Sequence, residues 1–454
     1  MADPDPTTAE VPDVIDLLAQ LIRFDTSNHG GGRSEGERGC AEWIAGLLRE
    51  AGWQPVRLHR PDAPDRLNVV VRVEGSEPTL PGILLHVHTD VVPVEADQWS
   101  VPPFEGLVRD GYVWGRGAQD MLDSVAVALH TLLVWGREGV RPRRTVVVAF
   151  VADEEDGGHY GADWLVTEHA DLFEGLAIAI GEDGAVCQRL TALDGGTVHA
   201  YTINAGERGT LQLRLTARGR SGHGSRPSGD EAIARLVRVL ARIVDHRWPL
   251  TMSTVVRGHY ERLAAALGWP GEGRTIDLAD ERSLLAFVDW LGPEVSGPMR
   301  WTIRPSATPT ILSAGYKVNV VPGEATASLD VRCPPGTVEM VEQTLSDLVA
   351  GEVEVEYTFR GLPVESPIEG EWWDAMCASV LAHDPDAVFI PGCMGGGTDA
   401  KAFARLGLQT YGFTPAPADP EGRVSQGYHG VDERTPVLQV RGAARMMRAF
   451  LERA

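Results

Sequence analysis

The stretch Leu84-Leu85-His86-Val87-His88-Thr89-Asp90-Val91-Val92-Pro93 restricts the fold more than any other part of this chain. Its apolar residues are dense enough for a short buried strand, and proline forbids continuation just past a histidine and an aspartate. Open parallel sheets build their sites beyond the carboxyl ends of the strands, so His88 and Asp90 stand where such a site collects its side chains. Two more segments have this shape. Thr145 to Ala152 is a near-continuous apolar run, as a strand covered on both faces should be, and it exits into Asp153-Glu154-Glu155-Asp156-Gly157-Gly158. Leu176 to Gly181 exits into Glu182-Asp183-Gly184. Between the first two runs, the glycines of Gly115-Arg116-Gly117-Ala118-Gln119-Asp120-Met121 allow a tight turn that presents Asp120 at the head of a helix.

Composition narrows the partners. The chain has 454 residues, enough for two cores. A formal charge of −23 repels phosphate backbones and anionic membrane surfaces, which argues against nucleic acid and membrane partners. Cys40, Cys187, Cys333, Cys377 and Cys393 are odd in number, widely spaced and without a CxxC pair, which fits a reducing compartment. The first apolar stretch, Val14 to Ile22, is broken by Asp16 and Gln20 in helical rhythm and is neither a signal peptide nor a membrane span. A cytoplasmic location is expected.

Taken in order, the pattern predicts helices from about Val14 to Phe24 and from Glu35 to Ala51, then the His88 strand. A helix over Asp120 to Trp135, the Glu154 strand and a helix near Gly161 to Thr167 follow. From about Glu207 the texture changes to strict alternation, Thr210 to Thr216, as in a strand with one wet face. The loop Gly219 to Pro227 leads into a helix to about Asp245, and strands near Pro309 to Ala314, Ala325 to Arg332 and Val353 to Thr358 flank a helix from Val338 to Val349. Sheet character returns with Ala387 to Ile390, Gly395 to Asp399 opens a helix, and a last helix runs from about Pro436 to Glu452. The expected division is a first catalytic part at 1–206, an inserted module at 207–361, and a second catalytic part at 362–454.

Two histidines, carboxylates at strand ends and one extra glutamate beside a ligand are the ingredients of a bridged pair of divalent cations. Each motif alone is weak, since a strand-end histidine is more often satisfied and a Glu-Glu pair more often a solvated loop. In combination, HxD, GRGAxD, ADEExGG and GEDG in this order resemble the co-catalytic zinc metallopeptidase family of aminoacylases, acetylornithine deacetylases, succinyl-diaminopimelate desuccinylases and glutamate carboxypeptidases. The resemblance implies an α/β fold: a zinc-exopeptidase-like mixed, mainly parallel sheet flanked by helices, with an inserted α+β lid and dimerisation domain. It implies two zinc ions, with cobalt or manganese also suited to imidazole and carboxylate donors. His88 then binds one metal and Asp120 bridges. Glu155 and His429 hold the second metal, and Glu182 completes the first, although the adjacent Asp183 could also reach it. Asp90 orients His88, and Glu154 is left free as general base and then general acid. His86 reads as a packing histidine.

The same resemblance makes His223, in SGHGSRP, an oxyanion donor reaching a neighbouring subunit's site in a homodimer. Asn319 and Arg332 become candidates for a substrate carboxylate, with a structural salt bridge nearly as expected for Arg332, while Gly397 and Thr398 offer backbone N–H groups. The implied activity is hydrolysis of an amide next to a free carboxylate in N-acyl amino acids, with small peptides (a carboxypeptidase or dipeptidase) as the alternative and an inactive binding relative as a further one.

Overall fold

The computed structural model describes residues 11–271, 275–421 and 427–454. Helix α1 (Val14–Ile22) starts at Asp13, whose carboxylate accepts the Ile15 N–H and satisfies one of the open donors of the first turn. Helix α2 (Arg38–Glu50) is followed by β1 (Val56–Leu58), β2 (Asn68–Val73) and β3 (Gly82–His88), the last buried along its whole length. Helix α3 (Leu122–Glu138) stops at Gly139, which takes the left-handed conformation at φ 66°. Then come β4 (Val146–Val151), α4 (Ala162–Glu168), β5 (Leu176–Gly181), β6 (Cys187–Thr191) and β7 (Thr197–Glu207).

The next segment contributes β8 (Gly209–Arg218), α5 (Ala232–Asp245), α6 (Thr254–Ala266), α7 (Glu281–Thr302), β9 (Ser306–Ala314), β10 (Glu324–Cys333), α8 (Val338–Val349) and β11 (Glu354–Gly361). The chain ends with α9 (Glu371–Leu381), β12 (Ala387–Met394), the short α10 (Ala400–Ala404), β13 (Gln409–Gly412) and α11 (Val437–Arg453).

A ten-stranded mixed sheet carries the site, in the order β6-β7-β13-β5-β3-β4-β2-β1, with β12 and the two-residue strand Val364–Glu365 also on β7. Its centre is parallel, β13 to β5 to β3 to β4, while β2 runs antiparallel to β1 and β4, and β7 runs antiparallel to β6 and β13 but parallel to β12. Apolar runs without alternation suit such strands because both faces are covered. One face packs on α1, α2, α3, α9 and α11, through Leu18, Ile44, Leu129 and Phe450 among others, and the other on α4 and α10, through Leu165 and Phe403.

A second, four-stranded sheet has the order β9-β10-β8-β11 and packs one face on α5 and α8, where Leu213, Leu236, Leu329 and Val341 meet. Its alternation is the one-wet-face pattern read from Thr210 to Thr216. Helices α6 and α7 lie elsewhere: Val256, Tyr260 and Phe287 cluster with Ala200 of β7 and Ile390 of β12, so this middle piece of the 207–361 segment packs against the large sheet.

Candidate metal centre and active site

Parallel register sets the tips of β3, β4 and β5 side by side. His88 pairs with Val151 and Leu85 with Ile180, so the residues leaving these strands converge. His88 is the last residue of β3 and is buried. Its Nδ1 donates to the Asp90 carbonyl at 2.9 Å, which turns Nε2 toward Asp120 Oδ1 at 3.1 Å and Glu182 Oε2 at 3.3 Å. In a neutral ring that Nε2 is a lone pair facing two anionic oxygens, an arrangement that is repulsive unless a cation lies between them. The second carboxylate oxygen of Asp120 faces His429 Nε2 at 3.0 Å, and Glu155 Oε1 lies 3.3 Å from the same nitrogen. Asp120 therefore spans the two imidazoles, one oxygen to each.

Charge is left uncompensated here. Burial, then Glu182 nearby, pushes the Glu154 carboxyl well above the usual range, and burial raises Glu182 to about 7. Burial opposes ionisation of Asp120 as well, but hydrogen bonds from His429 and His88 hold it below the usual carboxylate value. Bonds to Asp120 first and Glu155 second raise His429 to about 10. Four carboxylates, Asp120, Glu154, Glu155 and Glu182, thus surround two imidazoles, a balance that two divalent cations neutralise. Ligand atoms of His88, Asp120 and Glu155, and of His88, Glu154 and Glu182, lie within 4.8 Å of one another. The donor set fits a pair of metal ions.

The carboxylates open onto a cavity of about 380 Å³, whose walls include Asp120, Glu154, Glu155, Glu182 and His429 and, from α3 and α11, Val127 and Val440. Asp183 is also a wall residue, but its side chain accepts from Asn204 at 3.1 Å, whereas Glu182 faces His88. Gly397 lies on the rim. Among the described residues the walls take nothing from positions 207–361. His223 is exposed in a two-residue strand paired with Val320, beside Asn319, whose carbonyl accepts the Gly224 N–H. Arg332 is engaged with Asp330 at 2.6 Å and with Thr210, and the Thr398 N–H and hydroxyl both donate to Glu207.

Residues 84–453 match the description Peptidase family M20/M25/M40. The chain belongs to this family. Among its relatives, aminoacylase-1 of Sus scrofa is 30% identical over 359 residues, covering 78% of this chain and 76% of that protein. The N-fatty-acyl-amino acid synthase/hydrolase PM20D1 of Mus musculus is 28% identical over 393 residues, covering 84% and 76%. In fold, the chain is similar to the M20 family metallo-carboxypeptidase Sso-CP2 from Sulfolobus solfataricus, with a TM-score of 0.69, 16% identity and coverage of 97% of this chain and 99% of that one. The di-peptidase Dug1p from Saccharomyces cerevisiae gives a TM-score of 0.63 at 17% identity, covering 97% and 95%.

This M20-family hydrolase supports the candidate metal centre with further residues, some inside the motifs and some far from them. The Asp90 carboxylate lies 3.6 Å from His88 Nδ1, farther than its own backbone carbonyl, and instead accepts the Glu154 and Glu155 N–H groups at 3.1 and 3.2 Å and the Asn28 amide at 2.9 Å. The carboxylate expected to orient His88 thus holds the backbone of the two glutamates, and the Asp90 carbonyl holds the histidine. Asp153, at φ 70°, is gripped by Arg66 at 2.6 Å and by Asn28, and Arg66 pairs in turn with Glu37 at 3.0 Å. Glu433 takes N–H groups from Gly117, Gln119 and Asp120 and pairs with Arg116 at 2.6 Å, so the late segment carrying His429 fixes the turn carrying Asp120. Buried Asp399 lies close enough for Glu182 and Asp90 to raise its carboxyl, after burial itself. The signal that could have found Asp153 is its place in a run of four acids, where only one or two can face a metal. Nothing local marks Asn28 or Arg66.

His86 packs as its position suggests. Its ring lies 4.8 Å from that of Phe403, and a Cβ on Gly181 would come within 2.2 Å of it, so β5 needs glycine there. Burial pushes its pKa down to about 3.

Proposed function

We propose that this chain is a dinuclear metal-dependent amidohydrolase that cleaves the amide of N-acyl amino acids next to their free carboxylate. The observation that carries the reading is Asp120, whose two oxygens face His88 and His429 separately, as a bridging carboxylate between two ions does. His88, Asp120 and Glu182 would hold one ion and Asp120, Glu155 and His429 the other. Zinc, cobalt and manganese all suit these donors. When bound, the ions polarise the substrate carbonyl and acidify water.

The remaining steps belong to side chains. Glu154 lines the cavity beside this group and would take a proton from the attacking water, then return it to the nitrogen that leaves as the amine. His223 Nδ1 is the acceptor for the Ser225 N–H at 3.2 Å, so the neutral ring carries its proton on Nε2, a donor suited to the oxyanion. Because His223 is exposed and not among the cavity walls, we assign it to the site of a partner copy in a homodimer, carried there by the 207–361 segment acting as lid and dimerisation domain. Asn319 beside it, Arg332 and Gly397 are the candidates for the substrate carboxylate, while the Thr398 N–H expected to serve it is given to Glu207 instead. The five cysteines, all free thiols, fit a cytoplasmic location.

Hydrolysis of N-acetyl amino acids and of dipeptides by the metal-reconstituted protein tests the reading. Faster turnover of the N-acyl substrates is expected. Preference for dipeptides would move the assignment to a carboxypeptidase or dipeptidase, and no turnover of either would leave a binding protein.

A further inference from the structure

A second set of metal-type donors lies away from the cavity, at the edge of the large sheet. In the antiparallel pair β6 and β7, Cys187 stands opposite Tyr201, which puts both side chains on one face, and His199 follows two positions along on the same face. The turn between α9 and β12 brings Asp384 to that face, because β12 runs parallel to β7 with Ala387 beside His199. Asp384 Oδ2 lies 2.8 Å from His199 Nδ1 and accepts the Tyr201 hydroxyl at 3.0 Å. Ligand atoms of Cys187, His199 and Asp384 all lie within 4.8 Å of one another.

We propose that Cys187, His199 and Asp384 form a separate structural site for one zinc-like divalent ion. Sulfur, imidazole nitrogen and carboxylate oxygen are the donors zinc takes, and ion bonds of about 2.0–2.3 Å place donor atoms about 3.3–3.8 Å apart, so the set closes on an ion by movements of about 1 Å. The burial pattern suits an ion that keeps one water. Cys187 is buried, while the His199 and Asp384 side chains are 29% and 17% exposed and leave a side open to solvent. Tyr201 orients the carboxylate, as partners of metal-binding acids commonly do. Cys187 packs in the same apolar cluster as Cys40, but its sulfur also lies within reach of the His199 and Asp384 donors.

The placement gives the ion a purpose. Strand β6 lies at the edge of the sheet, and it begins five residues after Glu182; the Cys187 N–H donates to the Ala416 carbonyl at 2.9 Å, and Val186 and Ala416 both line the catalytic cavity. An ion binding Cys187, His199 and Asp384 would tie this edge strand and the end of the Glu182 segment to the α9–β12 turn.

Cobalt separates this site from the catalytic one, because the proposed catalytic ligands include no sulfur. The full chain, reduced and freed of metal, is titrated with Co²⁺ while near-ultraviolet absorption and bound cobalt are measured. A thiolate-to-cobalt band is expected in the wild type, with one more bound ion per chain than in Cys187→Ser or His199→Ala. Absence of the band in the wild type overturns the proposal. So does a band that persists in Cys187→Ser, or equal cobalt content in wild type and variants. Should Cys187→Ser fail to fold, loss of the band in Asp384→Asn, with circular dichroism unchanged, supports the site, and an undiminished band in that variant counts against it.

Discussion

At the tips of β3, β4 and β5 the chain buries polar groups whose charges do not cancel, and in the four-stranded sheet it does the reverse. There the acids and bases stay near water in matched pairs: Arg332 with Asp330, each 28% exposed, and Arg218 with Glu324 at 2.6 Å. Such pairs are worth about 0–1 kcal/mol and the sheet rests on its apolar face instead. At the strand tips Arg66 and Arg116 are consumed by Glu37, Asp153 and Glu433, and among the described residues no arginine pairs with Glu154, Glu155 or Glu182. A region that holds a surplus of buried carboxylates in place is prepared for cations that arrive from outside. The contrast teaches where to look for function in a fold whose two sheets are equally regular.

Substitutions in the two regions should therefore differ. Glu433→Ala strands the buried Arg116 and frees three N–H groups, and breaking a buried pair costs about 3–5 kcal/mol. Denaturant unfolding should show that loss, together with reduced metal content, whereas Arg332→Ala should change stability by less than about 1 kcal/mol. Equal losses in the two variants would erase the comparison.

Asp90→Asn replaces one acceptor oxygen by an amide donor, which then meets either the Glu154 N–H or the Glu155 N–H. A ten- to hundredfold fall in metal affinity is expected, as for groups that orient ligands, and is read by competition with a chelator. Unchanged affinity would leave Asp90 as a packing residue.

A further effect concerns His86. Its folded pKa of about 3 lies below the usual 6.5, so between those values the unfolded chain binds a proton that the folded chain refuses. Stability present above pH 6.5 is lost as pH falls toward 3, with a slope of up to about 1.4 kcal/mol per pH unit from this group. His86→Leu should flatten the acid side of the stability curve relative to the wild type, and parallel curves would show that His86 titrates normally.

The parts of this molecule that were legible in the sequence are those set by local pattern. The Leu176 to Gly181 run is β5 with the expected ends, and the helix read from Val338 to Val349 is α8. The strand-end rule placed His88, Glu154, Glu155 and Glu182 together because parallel register does so by itself. Asn28, Arg66 and Glu433 were assigned no role, since each meets its partner across long sequence separations, 62 residues for Asn28 and Asp90 and 317 for Arg116 and Glu433. Helix α7 went unread because Gly292-Pro293 and Gly297-Pro298 are breakers in any local reading. The structure keeps the helix by turning out of helical geometry at Gly292, φ 77°. Nor was packing of α6 and α7 on the large sheet foreseeable from alternation within 207–361.

The central claim is that the surplus carboxylates at the strand tips divide into metal ligands and one free base, Glu154. Glu154→Gln separates these roles, because the amide is nearly the same shape and cannot take a proton. Metal content and turnover of an N-acetyl amino acid are measured on the same sample. The account predicts the wild-type metal content with turnover lower by about 10²–10⁴-fold. Near-normal turnover in the metal-replete variant would contradict it.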